Sequence, residues 1–209
     1  MIVIGNGRTQ GPPFQNPMLF VHSNQNIRWN MKEIDAEDLI GCCGLFCGLC
    51  NKFQSKAPSR CIGCKKGEQH SWCSIWNCCV KKHGFETCAE CEELFKCTIF
   101  TRRKVSEWIP AADNLRQIKK GGLKNWLQNQ RERQNMVELL LQEYNDGRSM
   151  TYHCKVCSRM SLNLISMAIK ESNEKYITKI IDHSDIKLKV KIFKEIINNI
   201  AIKSQINLS

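Results

Sequence analysis

Twelve of the chain's 14 cysteines fall within 56 residues, between Cys42 and Cys97. Three of the intervals are Cys-x-x-Cys, at 47–50, 61–64 and 88–91. That spacing lets one tight turn aim two sulfurs at a single ion. Gly, Pro, Lys, Trp and Phe fill the gaps, and aliphatic residues are sparse. A segment so poor in apolar side chains is not expected to close a core alone, and bound metal is the expected substitute.

The same cysteines bear on compartment. Disulfide-dense domains are secreted behind a leader with a basic start and an apolar middle. The opening run Met1 to Phe20 has four apolar residues, then Gly, Asn, Arg and Pro, which is not that pattern. No uninterrupted apolar run reaches the roughly 18 residues of a membrane span. Thiols kept as metal ligands in the cytoplasm are therefore the expectation.

At 209 residues the chain suits a small metal-held module joined to a helical region. We divide it into an N-terminal extension (1–30), a cysteine-rich metal-binding module (31–100) and an α-helical region (101–209). In the extension, Ile2-Val3-Ile4-Gly5-Asn6-Gly7 with Gly11 resembles a strand entering a phosphate loop. Pro12 and Pro13 follow at once, where such a loop needs a helix. The extension reads instead as a tail or an early start, with Met31 as an alternative beginning.

Beyond Cys97 the pattern turns helical. Leu123, Trp126, Leu127, Val137, Leu140, Leu141 and Tyr144 recur at steps of three and four, and Asn145-Asp146-Gly147 supplies a stop. Three further helices are expected: around Leu164 to Ile169, around Tyr176 to Ile181, and from Leu188 to Ile200. Lys187, Lys189, Lys191 and Lys194 make the last one basic. Packing on the preceding helices is its expected use, ahead of membrane or partner docking. The fold class is thus α plus irregular: a small metal-held module followed by an α-helical C-terminal half.

The candidate ligands are Cys43, Cys47, Cys50, Cys61, Cys64, Cys73, Cys78, Cys88, Cys91 and Cys97. Zinc takes four thiolates in a tetrahedron, so ten candidates allow more than one ion. One partition pairs Cys47 and Cys50 with Cys61 and Cys64. A second site then takes Cys73, Cys78, Cys88 and Cys91, with Cys43 and Cys97 in reserve. Adjacent cysteines point their side chains differently, so Cys42 and Cys79 are expected to be non-ligands. Lys65, Lys66, Lys81 and Lys82 would offset the negative charge of zinc thiolate sites. Trp72, Trp76, Phe46, Phe53 and Phe85 would line them. The alternative is a [4Fe-4S] cluster, because Cys43, Cys47 and Cys50 have the three-and-two spacing of radical S-adenosylmethionine enzymes. The large barrel of those enzymes has no counterpart in a chain of this length and helical character.

No catalytic constellation emerges. His22, His70, His83, His153 and His183 are scattered, and neither His-Glu-x-x-His nor Gly-x-Ser-x-Gly occurs. His70 and His83 are possible substitute ligands. Cys154 and Cys157 read as packing or as an accessory half-site. A net charge of +11 admits nucleic acid as a second alternative, but no segment is overwhelmingly basic. A non-catalytic metal-binding protein with a macromolecular partner, protein ahead of nucleic acid, is the favoured reading.

The ordered string Cys43-Gly44-Leu45-x-Cys47-x-x-Cys50, Cys61-x-Gly63-Cys64, Cys73-x-Ile75-x-x-Cys78, Lys82-x-Gly84 and Cys88-x-Glu90-Cys91 with Cys97 resembles a cysteine-rich prokaryotic family. It is the domain of unknown function 3795 family. Tyr144 to Ser149 and Tyr152-His153-Cys154 resemble the continuation of its longer members, so the resemblance spans about 38–170. Lys96 stands where the family usually has proline, which touches a turn and not a thiol. Cys42, Cys79 and Cys157 lie outside the shared pattern. The resemblance implies a small cytoplasmic zinc-binding protein and implies no reaction.

Overall fold

The computed structural model describes residues 36–67, 71–102, 110–179 and 185–208. The extension at 1–30, the alternative start at Met31, His22, His70, His183, Trp108, Ile109, Ile180 and Ile181 lie outside the described residues. Those described form helices and short turns without a strand; one isolated antiparallel bridge joins Ile40 to Phe46.

The front segment is built from turns. A 3-10 turn at Ala36–Leu39 leads into the bridge, whose loop is closed by Gly44 N–H donating to Gly41 C=O at 2.8 Å. A 3-10 turn follows at Cys47–Leu49, and Cys50 stands at the N-cap of α1 (Asn51–Gln54). Helix α2 (Ser74–Trp76) runs on into a π turn at Asn77–Lys82. Two more 3-10 turns, Cys88–Glu90 and Leu94–Lys96, precede α3 (Thr98–Arg102).

The rear half is α4 (Ala111–Gly121), α5 (Leu123–Glu143), α6 (Met150–Arg159), α7 (Leu162–Lys179) and α8 (Ile186–Lys203). Gly122, with φ +80°, breaks the first helical stretch into α4 and α5. The stop after α5 is where the sequence places it. The amide of Gly147 donates to Asn145 Oδ1 and that of Arg148 to Asp146 Oδ1. Two features differ from expectation. Cys154 and Cys157 sit within a helix of their own, α6. The segments around Leu164 and Tyr176 form the single helix α7, since no Gly or Pro separates them. Ser172, fully buried, takes the core position between Ala168 and Tyr176.

Helix α8 packs as expected: Val190, Ile192, Phe193, Ile196, Ile197 and Ala201 are buried. Its lysines are partly committed. Lys189 pairs with Glu143 at 3.2 Å and lies over the Tyr144 ring, and Lys194 lies over Tyr152.

One core cluster runs from Ala36 to Ala201 and includes residues of the cysteine-rich segment. Leu39, Ile40, Phe46, Leu49, Phe53 and Leu94 are all at most 2% exposed. These apolar residues of the front segment are buried while Ile62, Trp72 and Phe95 are exposed, and burial contributes more to its shape than composition indicates. Phe46 meets Trp126 of α5 edge-on, with centroids 5.8 Å apart. Asn114 of α4 donates to Gly44 C=O at 2.8 Å inside the core.

The helices approach that loop closely at two glycines. A Cβ on Gly44, which has φ +83°, would stand 2.6 Å from Ala111 O and 2.7 Å from Leu115 Cγ. A Cβ on Gly48 would stand 2.5 Å from the Phe46 ring and 2.6 Å from Gln134 Oε1. Gly147 has the same φ with open space around it. Chemical denaturation of the two alanine variants should separate strain from clash. Gly147→Ala is expected to cost about 1–2 kcal/mol, the left-handed penalty alone. Gly44→Ala should cost about 2–5 kcal/mol, because overpacking against a backbone oxygen adds to it.

Candidate metal centre

The π turn gives the second half of the cysteine segment its character. An extra residue per turn shows in His83 N–H bonding back five residues to Cys78 C=O at 3.2 Å. With the helix widened in this way, the adjacent Cys78 and Cys79 border the same cavity.

A capping box fixes the next pair. Thr87 Oγ1 accepts from the Ala89 amide at 3.3 Å, and Glu90 Oε1 accepts from the Thr87 amide at 2.8 Å. Cys88 is the first residue of that turn and Cys91 caps its end. The Cys88 amide also donates to Cys42 C=O at 2.8 Å, tying the turn to the bridge loop. Cys97 caps the 3-10 turn at Leu94–Lys96.

Cys78, Cys88, Cys91 and Cys97 thereby line one cavity of about 30 Å³, room for an ion and little more. Its other walls are Cys79, His83 and the apolar Ile75, Phe85, Leu94, Ile99 and Phe100. His83 stacks on Phe85 at 5.4 Å. The donor set is soft sulfur with no carboxylate on the wall, the ligand type that zinc takes.

Cys42, Cys79 and Cys88 form a hydrogen-bonded group of their own. Cys79 is pushed up to about 12, first by its bond with Cys42 and then by burial against a lowering bond with Cys88. Its Sγ also donates to Phe85 C=O at 3.7 Å, the behaviour of a protonated thiol.

The first half of the segment gathers around the bridge loop. A Cβ on Gly41 would lie 3.5 Å from Cys43 Sγ and 3.9 Å from Cys64 Cβ, and one on Gly63 would lie 3.9 Å from Cys47 Cβ. Cys47 is shifted strongly upward, chiefly by its hydrogen bond with Cys64 and then by burial, with Cys50 adding repulsion. Burial pushes Cys43 up to about 11, with Cys64 and Cys73 contributing. Cys73 packs against the cluster of Cys42, Cys43, Ile75 and Cys79 and is not on the cavity wall. Cys61 enters through its amide, which donates to Lys52 C=O at 3.1 Å. Among the described residues, no three His, Cys, Asp or Glu side chains are arranged to hold an ion as they stand.

Other expectations are modified. Trp72 does not line the centre; it is 69% exposed, on a turn before Cys73. Lys65 and Lys66 have carboxylate partners, Glu86 at 3.4 Å and Asp38 at 2.8 Å. Lys81 lies over the Trp76 ring. Cys154 and Cys157 are fully buried in α6. Burial, followed by the proximity of Cys50, pushes Cys154 up to about 12, and burial likewise raises Cys157.

His153, also fully buried, is no ligand candidate in this setting. Nε2–H donates to Tyr144 C=O at 2.7 Å, and Nδ1 has no partner. Burial lowers its pKa to about 4 from 6.5, and Lys194 lowers it further against Asp146. A depressed folded-state value means that the neutral ring stabilises the fold above about pH 6.5 and that this contribution is lost toward pH 4. The unfolding free energy of wild type relative to His153→Gln should fall by about 3 kcal/mol across that window. Urea titrations of both proteins across that pH range would measure it.

No protein-family model, curated protein or solved structure matches this chain.

Proposed function

We propose that the chain is a zinc-binding protein whose Cys42–Cys97 segment holds more than one ion in structural thiolate sites. Its helical half then serves as a surface for a macromolecular partner. The presence of Cys78, Cys88, Cys91 and Cys97 on the wall of one small, largely apolar cavity carries this reading. Those four sulfurs form the second site by side-chain rotation onto an ion. The first site draws on Cys43, Cys47, Cys50, Cys61, Cys64 and Cys73. Closed sites of this kind stabilise a fold and leave no open position for substrate. The resemblance of the cysteine motif string to the domain of unknown function 3795 family points the same way. Free thiols in this number suit a reducing compartment such as the cytoplasm. No helix among the described residues is long and apolar enough to cross a membrane.

Elemental analysis of protein purified without oxygen tests the proposal. About two zinc ions per chain and a colourless solution are expected. Iron with a brown colour and absorbance near about 400 nm would replace zinc with the cluster. Cys91→Ser should lower the zinc content by about one ion, while Cys157→Ser should leave it unchanged. Tight, steeply salt-dependent association with nucleic acid would move the partner from protein to nucleic acid.

A further inference from the structure

The helices α4, α5 (its first half) and α6 (its end), with Ile206 and Asn207, border an open polar cavity of about 490 Å³. That is within the range of small-molecule sites. Asp113, Asn114 and Gln117 line it from one face of α4, and Gln130 and Arg133 line it from one face of α5.

Two of these side chains, Gln130 and Arg133, give the wall its chemistry. Gln130 is only 4% exposed and stands on the cavity wall. Its amide offers one donor group and one acceptor to a molecule that enters the cavity. Arg133 is half-buried, and its recorded contacts are all to neutral oxygens. Nη1 donates to the carbonyls of Cys157 and Met160 at 2.7 Å each, and Nε donates to Asn129 Oδ1 at 2.8 Å. These bonds cap the end of α6 and hold the guanidinium fixed, with Nη2 left over. No acidic side chain among the described residues pairs with it. Asp113, the acid on the cavity wall, is engaged at 2.6 Å by Arg116. Arg159 adds a second guanidinium to the wall and donates to Asn207 C=O at 2.7 Å.

We infer that this cavity binds a small polar molecule through a carboxylate or phosphate group. The oxyanion sits on the fixed guanidinium of Arg133, and the body of the ligand bonds to the Gln130 and Gln117 amides. A guanidinium held by three bonds to neutral groups is pre-organised for an oxyanion and pairs with it by charge-assisted hydrogen bonds.

Calorimetric titration of the intact, metal-loaded chain at low salt, with inorganic phosphate and with succinate as probes, tests the inference. Saturable binding of at least one probe is expected. Gln130→Met keeps the volume and removes the amide, so it should weaken binding about tenfold or more without lowering the melting temperature. Gln117→Glu changes an exposed residue and sets a like charge against the anion, so it should weaken binding by a similar factor. Arg133→Lys keeps the charge but loses the fork and should also bind less well. The inference is overturned if neither probe saturates, or if Gln130→Met and Gln117→Glu bind like the wild type.

Discussion

Removing the metal should open the cysteine-rich segment while most of the helical signal survives. Structural zinc in finger peptides contributes about 10–16 kcal/mol of apparent binding free energy, more than the whole stability of many domains. Here the segment is turns and helices of at most six residues, too short to persist alone. The rear half stands differently. Phe193, Ile165 and Ile197 are fully buried, and the Phe193 ring lies 4.7 Å from that of Tyr144. None of those contacts involves a sulfur of the front segment. After chelation under reducing conditions, hydrogen exchange should lose its protection across 42–97 and keep it in α7 and α8. Far-UV circular dichroism should keep most of its helical amplitude. Unchanged protection at 42–97 in metal-free protein would mean that burial alone holds the segment.

Truncating Phe46 should have the second large effect and should reach both halves at once. The ring is fully buried and lies edge-on to Trp126. It also follows Gly44 and Leu45 in the loop that brings Cys43 and Cys47 into place. Loss of a buried phenyl group costs about 3–5 kcal/mol, more where the surroundings cannot collapse. Collapse is hindered here because Gly48 already lies hard against Gln134 of α5. Phe46→Ala should therefore lower the denaturation midpoint of the whole chain and weaken zinc retention against a competing chelator. A variant that loses zinc affinity with unaltered stability would show that the ring supports the metal site alone and not the shared core.

The helical half was legible where apolar residues keep a steady helical step. The stop at Asn145 to Gly147 and the apolar stripe of α8 could be read from spacing alone, because local chemistry fixes both. Helix α7 was split because Ser172 occupies a core position, and a polar residue breaks an apolar stripe without breaking a helix. The front segment was underestimated because its apolar residues are few. Composition counts them, but only tertiary contact reveals that Phe46, Leu49 and Leu94 are all spent on one core.

The thiols as a set were plain from their intervals, whereas their grouping was not. Whether Cys73 or Cys97 joins Cys78, Cys88 and Cys91 depends on the π turn at Asn77–Lys82 and the capping box at Thr87. Neither device is a matter of cysteine spacing. Gln130 and Arg133 were invisible for a related reason. Three residues apart on a helix, they resemble a solvated face until α4 and α6 close over them.

X-ray absorption at the zinc edge of the protein as purified without oxygen tests most directly whether thiolates grip metal in this segment. A shell of four sulfurs at about 2.3 Å per zinc is the expected result. A shell of nitrogen and oxygen alone, or a folded protein with no metal at all, would contradict it.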